Sequence, residues 1–90
     1  MKTLEYYYVD GTYVILENYS IDTNGVVTNI ITGRAMARHK NSNGYNVVSV
    51  RYEEKQRQFR VARAIASTFL GKPPTIHHTA DHIDRTWRAL

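Results

Sequence analysis

The sequence predicts an α+β fold in which a small antiparallel β-meander is followed by one short helix. Two observations carry this prediction. Short stretches rich in Val, Ile, Thr and Tyr alternate with turn dipeptides that end in glycine, and Asn-Gly supplies the positive φ angles that tight hairpins need. The spacing of the apolar residues then changes once, from strand-like to helical, between Val61 and Leu70.

The turn dipeptides determine where the strands of the meander are predicted. They are Asp10-Gly11, Asn24-Gly25, Thr32-Gly33 and Asn43-Gly44. The predicted strands are Tyr19–Asp22, Val26–Ile30, Ala35–His39, Tyr45–Arg51 and Gln58–Val61. Residues 1–16 are harder to place, and a further hairpin around Asp10-Gly11 is one interpretation of them.

The helix is predicted over Val61–Leu70. Its apolar face carries Val61, Ile65, Thr68 and Phe69, and its polar side carries Arg60, Arg63 and Ser67. Gly71 offers a C-terminal cap, and Pro73-Pro74 prevents the helix from continuing.

The charge balance favours a polyanionic partner. Twelve Lys and Arg oppose eight Asp and Glu, which gives a net charge of +4 and a pI near 9.6. Most of the cations are Arg, whose planar guanidinium suits phosphates and base edges. The lack of Cys excludes disulfides, thiolate-held zinc and a catalytic thiol. No apolar run is long enough to cross a bilayer and no signal peptide is apparent, so an intracellular protein is predicted.

Asp81 and His82 have the clearest catalytic chemistry in the sequence. A carboxylate is a ligand for a hard cation such as Mg²⁺, and an imidazole is a base near neutral pH, so the pair suits a metal-dependent phosphodiesterase. Taken alone, an Asp-His pair is more often a capped turn or a solvated loop. His77 and His78 precede the pair, but nothing else has the spacing to join them as metal ligands, so they are interpreted as loop residues.

Four stretches of the sequence occur in an order that a known family shares. They are Tyr19–Val27 (YSIDTNGVV), Thr32-Gly33-Arg34 with Asn43–Val50 (NGYNVVSV), Val61–Leu70 (VARAIASTFL) and Asp81–Asp84 (DHID). Together they resemble the HNH homing endonucleases of phage and intron type, which carry a nuclease-associated modular DNA-binding motif at the N-terminus. The resemblance is compatible with a phage, viral or mobile-element origin.

The resemblance implies that the chain has two segments with different functions. Residues 1–74 would form a β-rich DNA-binding module with its helix at 61–70, and residues 75–90 would begin a ββα-metal (HNH) nuclease motif. By the same resemblance Asp81 is the first ligand of a divalent cation, such as Mg²⁺, and His82 is the general base of phosphodiester hydrolysis.

The sequence departs from the family in two places. The family usually has His where this chain has Ala62, and an Asn-rich stretch normally follows the position of Asp84. This chain continues instead as Arg85-Thr86-Trp87-Arg88-Ala89-Leu90. The expectation is therefore a truncated motif that lacks its second strand, closing helix and second metal ligand, with self-association through the incomplete C-terminus.

Two groups of basic residues are candidates for contacts with DNA. Arg34, Arg38 and Lys40 alternate on one face of a predicted strand, and Arg60 and Arg63 lie together at the helix. Without the resemblance, both groups would be interpreted as solvated surface. Tyr6-Tyr7-Tyr8 are predicted to pack rather than to stack on bases.

Three interpretations of function stay open at this point. The first is a metal-dependent DNA endonuclease. The second is a catalytically incomplete or degenerate relative that binds DNA only, and the third is a structural domain whose basic surface is incidental. Membrane association is not predicted, and the sequence does not define the DNA target, the number of strands cut, the metal or the oligomeric state.

Overall fold

The computed structural model describes residues 1–75, 77–80 and 86–89, and within them three antiparallel sheets surround one helix. The first sheet contains β1 (Lys2–Tyr7), β2 (Tyr13–Ile21), β3 (Val27–Asn29) and β4 (Arg34–Ala35) in that order. The second contains β5 (Arg38–Lys40), β6 (Asn46–Tyr52) and β7 (Lys55–Arg60), and the third pairs β8 (His78–Ala80) with β9 (Trp87–Ala89). The helix α1 (Val61–Ile65) continues as a π-helical segment (Ala66–Leu70). The α+β prediction is confirmed.

The predicted strand Ala35–His39 is wrong, because the chain changes sheets within it. Arg34 and Ala35 belong to the first sheet, and the second sheet begins at Arg38. Met36 lies between them: its N–H donates to the carbonyl of Val27 at 2.6 Å, and its half-buried side chain packs against the core. Burial of this side chain bends the chain away from the first sheet, so Arg34 and Arg38 do not share one strand face. The hairpin around Asp10-Gly11 is confirmed, with β1 and β2 as its strands.

The core lies between the two larger sheets and the helix. Its buried side chains are Leu4, Tyr6, Leu16, Tyr19, Ile21, Val27, Val48, Val50, Phe59, Val61, Ala64 and Ile65. Tyr6 packs on Phe59 with ring centroids 4.5 Å apart, and burial raises the pKa of its hydroxyl. Tyr8 packs against the core, while Tyr7 stacks on Tyr13 at 4.4 Å. The packing role predicted for the three tyrosines is confirmed.

The turns before β3 and β6 have the same internal geometry. The Asp22 carboxylate accepts hydrogen bonds from the N–H groups of the second and fourth residues after it, both at 2.9 Å. The side-chain oxygen of Asn41 does the same at 2.9 and 3.0 Å. The third residue after each is a glycine with positive φ. The side chain that opens each turn therefore fixes its hairpin.

Gly25 is the turn glycine whose substitution the fold tolerates least. Its φ is +84°, and a Cβ placed on it would lie 2.6 Å from Val61 Cγ1 and 3.1 Å from Ile65 Cδ1. We expect Gly25→Ala to lower the free energy of unfolding by about 2–4 kcal/mol, since left-handed strain and overpacking act together. Gly44 has φ +81°, and a Cβ placed on it would have nothing within 4 Å, so Gly44→Ala measures the strain alone. Equal losses in urea denaturation of the two variants would contradict the contact with the helix.

The helix closes the free edge of β1 through polar side chains. Thr68 Oγ1 accepts from the N–H of Glu5 at 3.0 Å and donates to its carbonyl at 3.1 Å. Ser67 Oγ accepts from the N–H of Tyr7 at 3.0 Å, and Arg63 Nε donates to the carbonyl of Tyr7. These bonds satisfy backbone groups that an unpaired strand edge would leave without partners.

The predicted polar side of the helix is therefore wrong for two residues. Arg63 and Ser67 retain only 5% and 1% of their accessible surface. The physical reason is the edge of β1, which supplies polar partners to one side of the helix. The π-helical segment widens the turn, and its i→i+5 spacing brings Thr68 to the same side as Arg63.

Candidate nucleic-acid interface

A short hairpin follows the helix, and its first strand ends directly before Asp81 in the sequence. β8 pairs with β9 in the register His78 with Ala89, Thr79 with Arg88 and Ala80 with Trp87. The expectation that no second strand follows Asp84 is thus wrong. Tryptophan suits a strand, and Trp87 also has a partner in the module, since its Nε1–H donates to the carbonyl of Gly71 at 3.0 Å. Asp81 and His82 lie outside the described residues.

A cleft lined by three arginines separates this hairpin from the second sheet. We call it the basic cleft; its lining residues are Arg38, Tyr45, Asn46, Arg60, Val61, Ala62, Arg63, Thr79 and Ala80. Arg38 comes from β5, Arg60 from the end of β7 and Arg63 from α1. β8 supplies the facing wall with Thr79 and Ala80. Ala62, at the position where the resembled family usually has His, lies within the cleft.

Each of the three guanidinium groups is held in place by a contact. Arg38 Nη1 donates to the carbonyl of Asn24 at 3.4 Å. The guanidinium of Arg60 lies 4.4 Å from the ring centroid of Tyr45, and that of Arg63 lies 5.1 Å from the ring centroid of Trp87. Such contacts with aromatic rings orient a cation without neutralising it.

The positive charge of the cleft has no carboxylate partner among the described residues. Burial lowers the pKa of Arg63, and the positive charge of Arg60 adds to that effect. Within residues 1–75, 77–80 and 86–89, no carboxylate forms an ion pair with Arg38, Arg60 or Arg63. A phosphate between these side chains would receive charge-assisted hydrogen bonds and relieve their mutual repulsion.

A second polar surface lies on the outer face of the second sheet. The alternate residues Val48, Val50 and Phe59 point into the core. The opposite face therefore carries His39, Ser49, Arg51, Gln56, Gln58 and Arg60 around the buried Val47. His39 Nε2 and Gln58 Nε2 lie 3.5 Å apart, across β6. The sequence prediction considered cations alone and missed the uncharged members of this face, although their alternation with buried valines is visible in β6.

The predicted DNA-binding residues are thus only partly brought together. Arg38, Arg60 and Arg63 meet at the basic cleft. Lys40 is exposed at the end of β5, and Arg34 is exposed on β4, in the other sheet. Neither lines the cleft.

His77 and His78, which precede Asp81 in the sequence, contact Thr75. Thr75 Oγ1 lies 3.0 Å from His78 Nδ1 and accepts from the N–H of His77 at 3.1 Å. In the described part of the chain, no three His, Asp or Glu residues are grouped as metal ligands would be. Nor does any helix there have the length and apolar character needed to span a membrane.

The fold and the cleft define a small basic α+β module with a hairpin docked on its helix. The same fold occurs in the solved structure reported as "DNA binding and cleavage by the HNH homing endonuclease I-HmuI". The TM-score is 0.66 at 22% identity, and the match covers 80% of this chain and 47% of that one. This chain therefore spans about half the length of that endonuclease. No protein-family model matches the sequence, and the curated proteins contain no match to it.

Proposed function

We propose that the chain binds DNA through the basic cleft and hydrolyses a phosphodiester bond in a metal-dependent reaction. The observation that carries the proposal is the convergence of Arg38, Arg60 and Arg63 on a cleft whose facing wall ends at Ala80. Asp81 and His82 follow Ala80 directly in the sequence. The structural likeness to an HNH homing endonuclease supports the same assignment.

The binding step rests on charge and on the polar sheet face. Phosphates of the DNA backbone would occupy the basic cleft, because arginine offers forked donors and releases condensed counterions on binding. The outer face of the second sheet would then meet a groove, where side chains such as those of His39 and Gln58 can bond base edges. The major groove is wide enough to admit a two-stranded ribbon such as the β6–β7 hairpin of this sheet.

The hydrolytic step is assigned to Asp81 and His82. The carboxylate oxygen of Asp81 is a donor that Mg²⁺ prefers, and a bound cation would supply positive charge near the reacting phosphate. His82 would accept a proton from the attacking water, since the ordinary pKa of imidazole lies close to neutral pH. A single carboxylate holds Mg²⁺ weakly, so millimolar metal is the appropriate condition for assays.

A binding module without catalysis is the second candidate. It is favoured by the residues after Asp84, where the Asn-rich stretch of the resembled family is replaced by Arg85-Thr86-Trp87-Arg88. Supercoiled plasmid DNA distinguishes the candidates. Nicking that requires Mg²⁺ and stops with EDTA supports hydrolysis, whereas salt-sensitive binding without nicking supports the module. If the protein neither nicks nor binds the plasmid, both DNA-related functions are excluded.

The basic cleft gives a direct prediction for binding. The double variant Arg38→Gln/Arg60→Gln is expected to weaken duplex binding by about 10- to 100-fold at low salt, and to reduce the slope of log K against log salt by about 2. Lys55→Gln is the control for charge, because Lys55 is exposed at the far end of β7 from Arg60. Fluorescence anisotropy over a salt series measures both quantities. An equal effect of the control would place binding elsewhere.

A further inference from the structure

Trp87 joins the β8–β9 hairpin to the DNA-binding module. Its indole N–H donates to the carbonyl of Gly71, which directly follows the helix, at 3.0 Å. Its ring lies under the guanidinium of Arg63, 5.1 Å from the centroid. A half-buried side chain of β9 therefore contacts both the helix and the segment that leaves it.

The hairpin depends on such an anchor. β8 and β9 have three residues each, and a two-stranded hairpin is at best marginally stable by itself. A turn at Thr75 fixes the beginning of β8, since the carbonyl of Thr75 accepts from the N–H of His78 at 3.1 Å. The other end of β8 is Ala80, which pairs with Trp87. The anchor thus lies at the end of β8 that faces the basic cleft.

Arg63 connects the anchor with the cleft. Its Nε bonds the carbonyl of Tyr7 on β1, its guanidinium covers Trp87, and the same residue lines the basic cleft. One buried side chain therefore relates the position of Trp87 to the core sheet and to the other two arginines. The hairpin is therefore connected to the module by Arg63, a buried residue of the helix.

We propose that Trp87 is a positioning residue: its contacts with Gly71 and Arg63 hold Ala80 in a fixed place against the basic cleft. The inference rests on the proposed function, because a fixed place for Ala80, the residue directly before Asp81 in the sequence, matters to a phosphate held by Arg38 and Arg60. Those arginines bind the DNA. Trp87 does not contact the phosphate; it holds the hairpin in the position that nicking of the bound DNA requires.

Substitution of Trp87 separates positioning from binding and from folding. Trp87→Leu removes both contacts, and Trp87→Phe keeps a ring under Arg63 but loses the N–H donor. For Trp87→Leu we expect the module to stay folded, with a melting temperature lowered by about 2–10 °C through loss of the contact with Arg63, and an unchanged Kd for duplex. Hydrogen-exchange protection of β8 should fall to that of an unpaired segment, and the single-turnover nicking rate should fall by about 100-fold. Trp87→Phe should lie between the parent and Trp87→Leu in both quantities.

The outcomes distinguish this inference from the proposed function. Undiminished β8 protection in Trp87→Leu overturns the anchor, and an unchanged nicking rate overturns positioning. Loss of DNA affinity in parallel with the nicking rate also overturns positioning, because it assigns Trp87 to the binding surface. If the parent protein does not nick DNA, the hydrolytic proposal fails while exchange protection of β8 in the free protein still decides whether Trp87 holds the hairpin.

Discussion

Replacement of His82 by alanine is expected to lower metal-dependent nicking by about 10²–10⁴-fold while the Kd for duplex DNA stays the same. The reason is that a general base acts on the attacking water in the transition state and contributes little to the binding of the ground state. Single-turnover nicking of supercoiled plasmid in millimolar Mg²⁺ measures the rate, and anisotropy with Ca²⁺ in place of Mg²⁺ measures the affinity.

His77→Ala is the matched control for His82→Ala. His77 is exposed, lies in the turn at Thr75, and differs from His82 in having no assigned chemistry. Asp81→Ala should behave differently from both variants, since loss of a metal ligand raises the Mg²⁺ concentration needed for half-maximal nicking. If His82→Ala cuts as fast as the parent, His82 is not the base and the HNH assignment fails for this chain.

Much of the fold was predictable because its determinants are local. Asp22 and Asn41 fix their own turns through bonds to the second and fourth residues after them, and glycine supplies the positive φ in each. A pattern of this kind is visible in sequence without knowledge of any distant partner. The helix was equally apparent, because Gly71 and Pro73-Pro74 mark its end whatever it packs against.

The errors arose where a distant partner overrides the local pattern. Met36 interrupts a run of residues with good strand character, because the core draws its side chain inward. The β6–β7 hairpin turns through Glu53 and Glu54, whose φ angles of 52° and 64° no sequence rule would assign to glutamate. Long-range packing of the flanking strands, which places Phe59 opposite Val48, holds these two residues in left-handed geometry.

In the candidate site, too, the local features were predictable from the sequence and the long-range contacts were not. The sequence identified the arginines that form the basic cleft, but the cleft itself requires the pairing of β5 with β6 and the docking of β8 on the helix. Neither is a local property. The polar outer face of the second sheet was missed because uncharged side chains carry no compositional signal. Asp81 and His82 were assigned by resemblance, and their roles stay predictions.

Arg63 was predicted on the polar side of the helix and is buried in the structure. Its substitution should therefore affect stability more than DNA affinity. We expect Arg63→Met to lower the free energy of unfolding by about 2–4 kcal/mol. The change leaves the carbonyl of Tyr7 without its donor, which costs about 1–3 kcal/mol for a buried group, and removes the contact with Trp87, worth about 0.5–2 kcal/mol. Methionine retains much of the apolar stem, so the loss isolates the guanidinium.

Arg60→Met is the control for Arg63→Met, because it removes the same charge from the same cleft. The side chain of Arg60 is half-buried and stacks on Tyr45, and its contribution to the fold is the backbone N–H that donates to the hydroxyl of Tyr6 at 3.3 Å, which methionine preserves. We therefore expect a stability loss below about 1 kcal/mol for Arg60→Met, as for surface substitutions near an aromatic ring. Urea denaturation followed by circular dichroism compares the two variants. Equal stability losses would mean that Arg63 is held at the edge of β1 without supporting it, and that the closed edge depends on Ser67 and Thr68 alone.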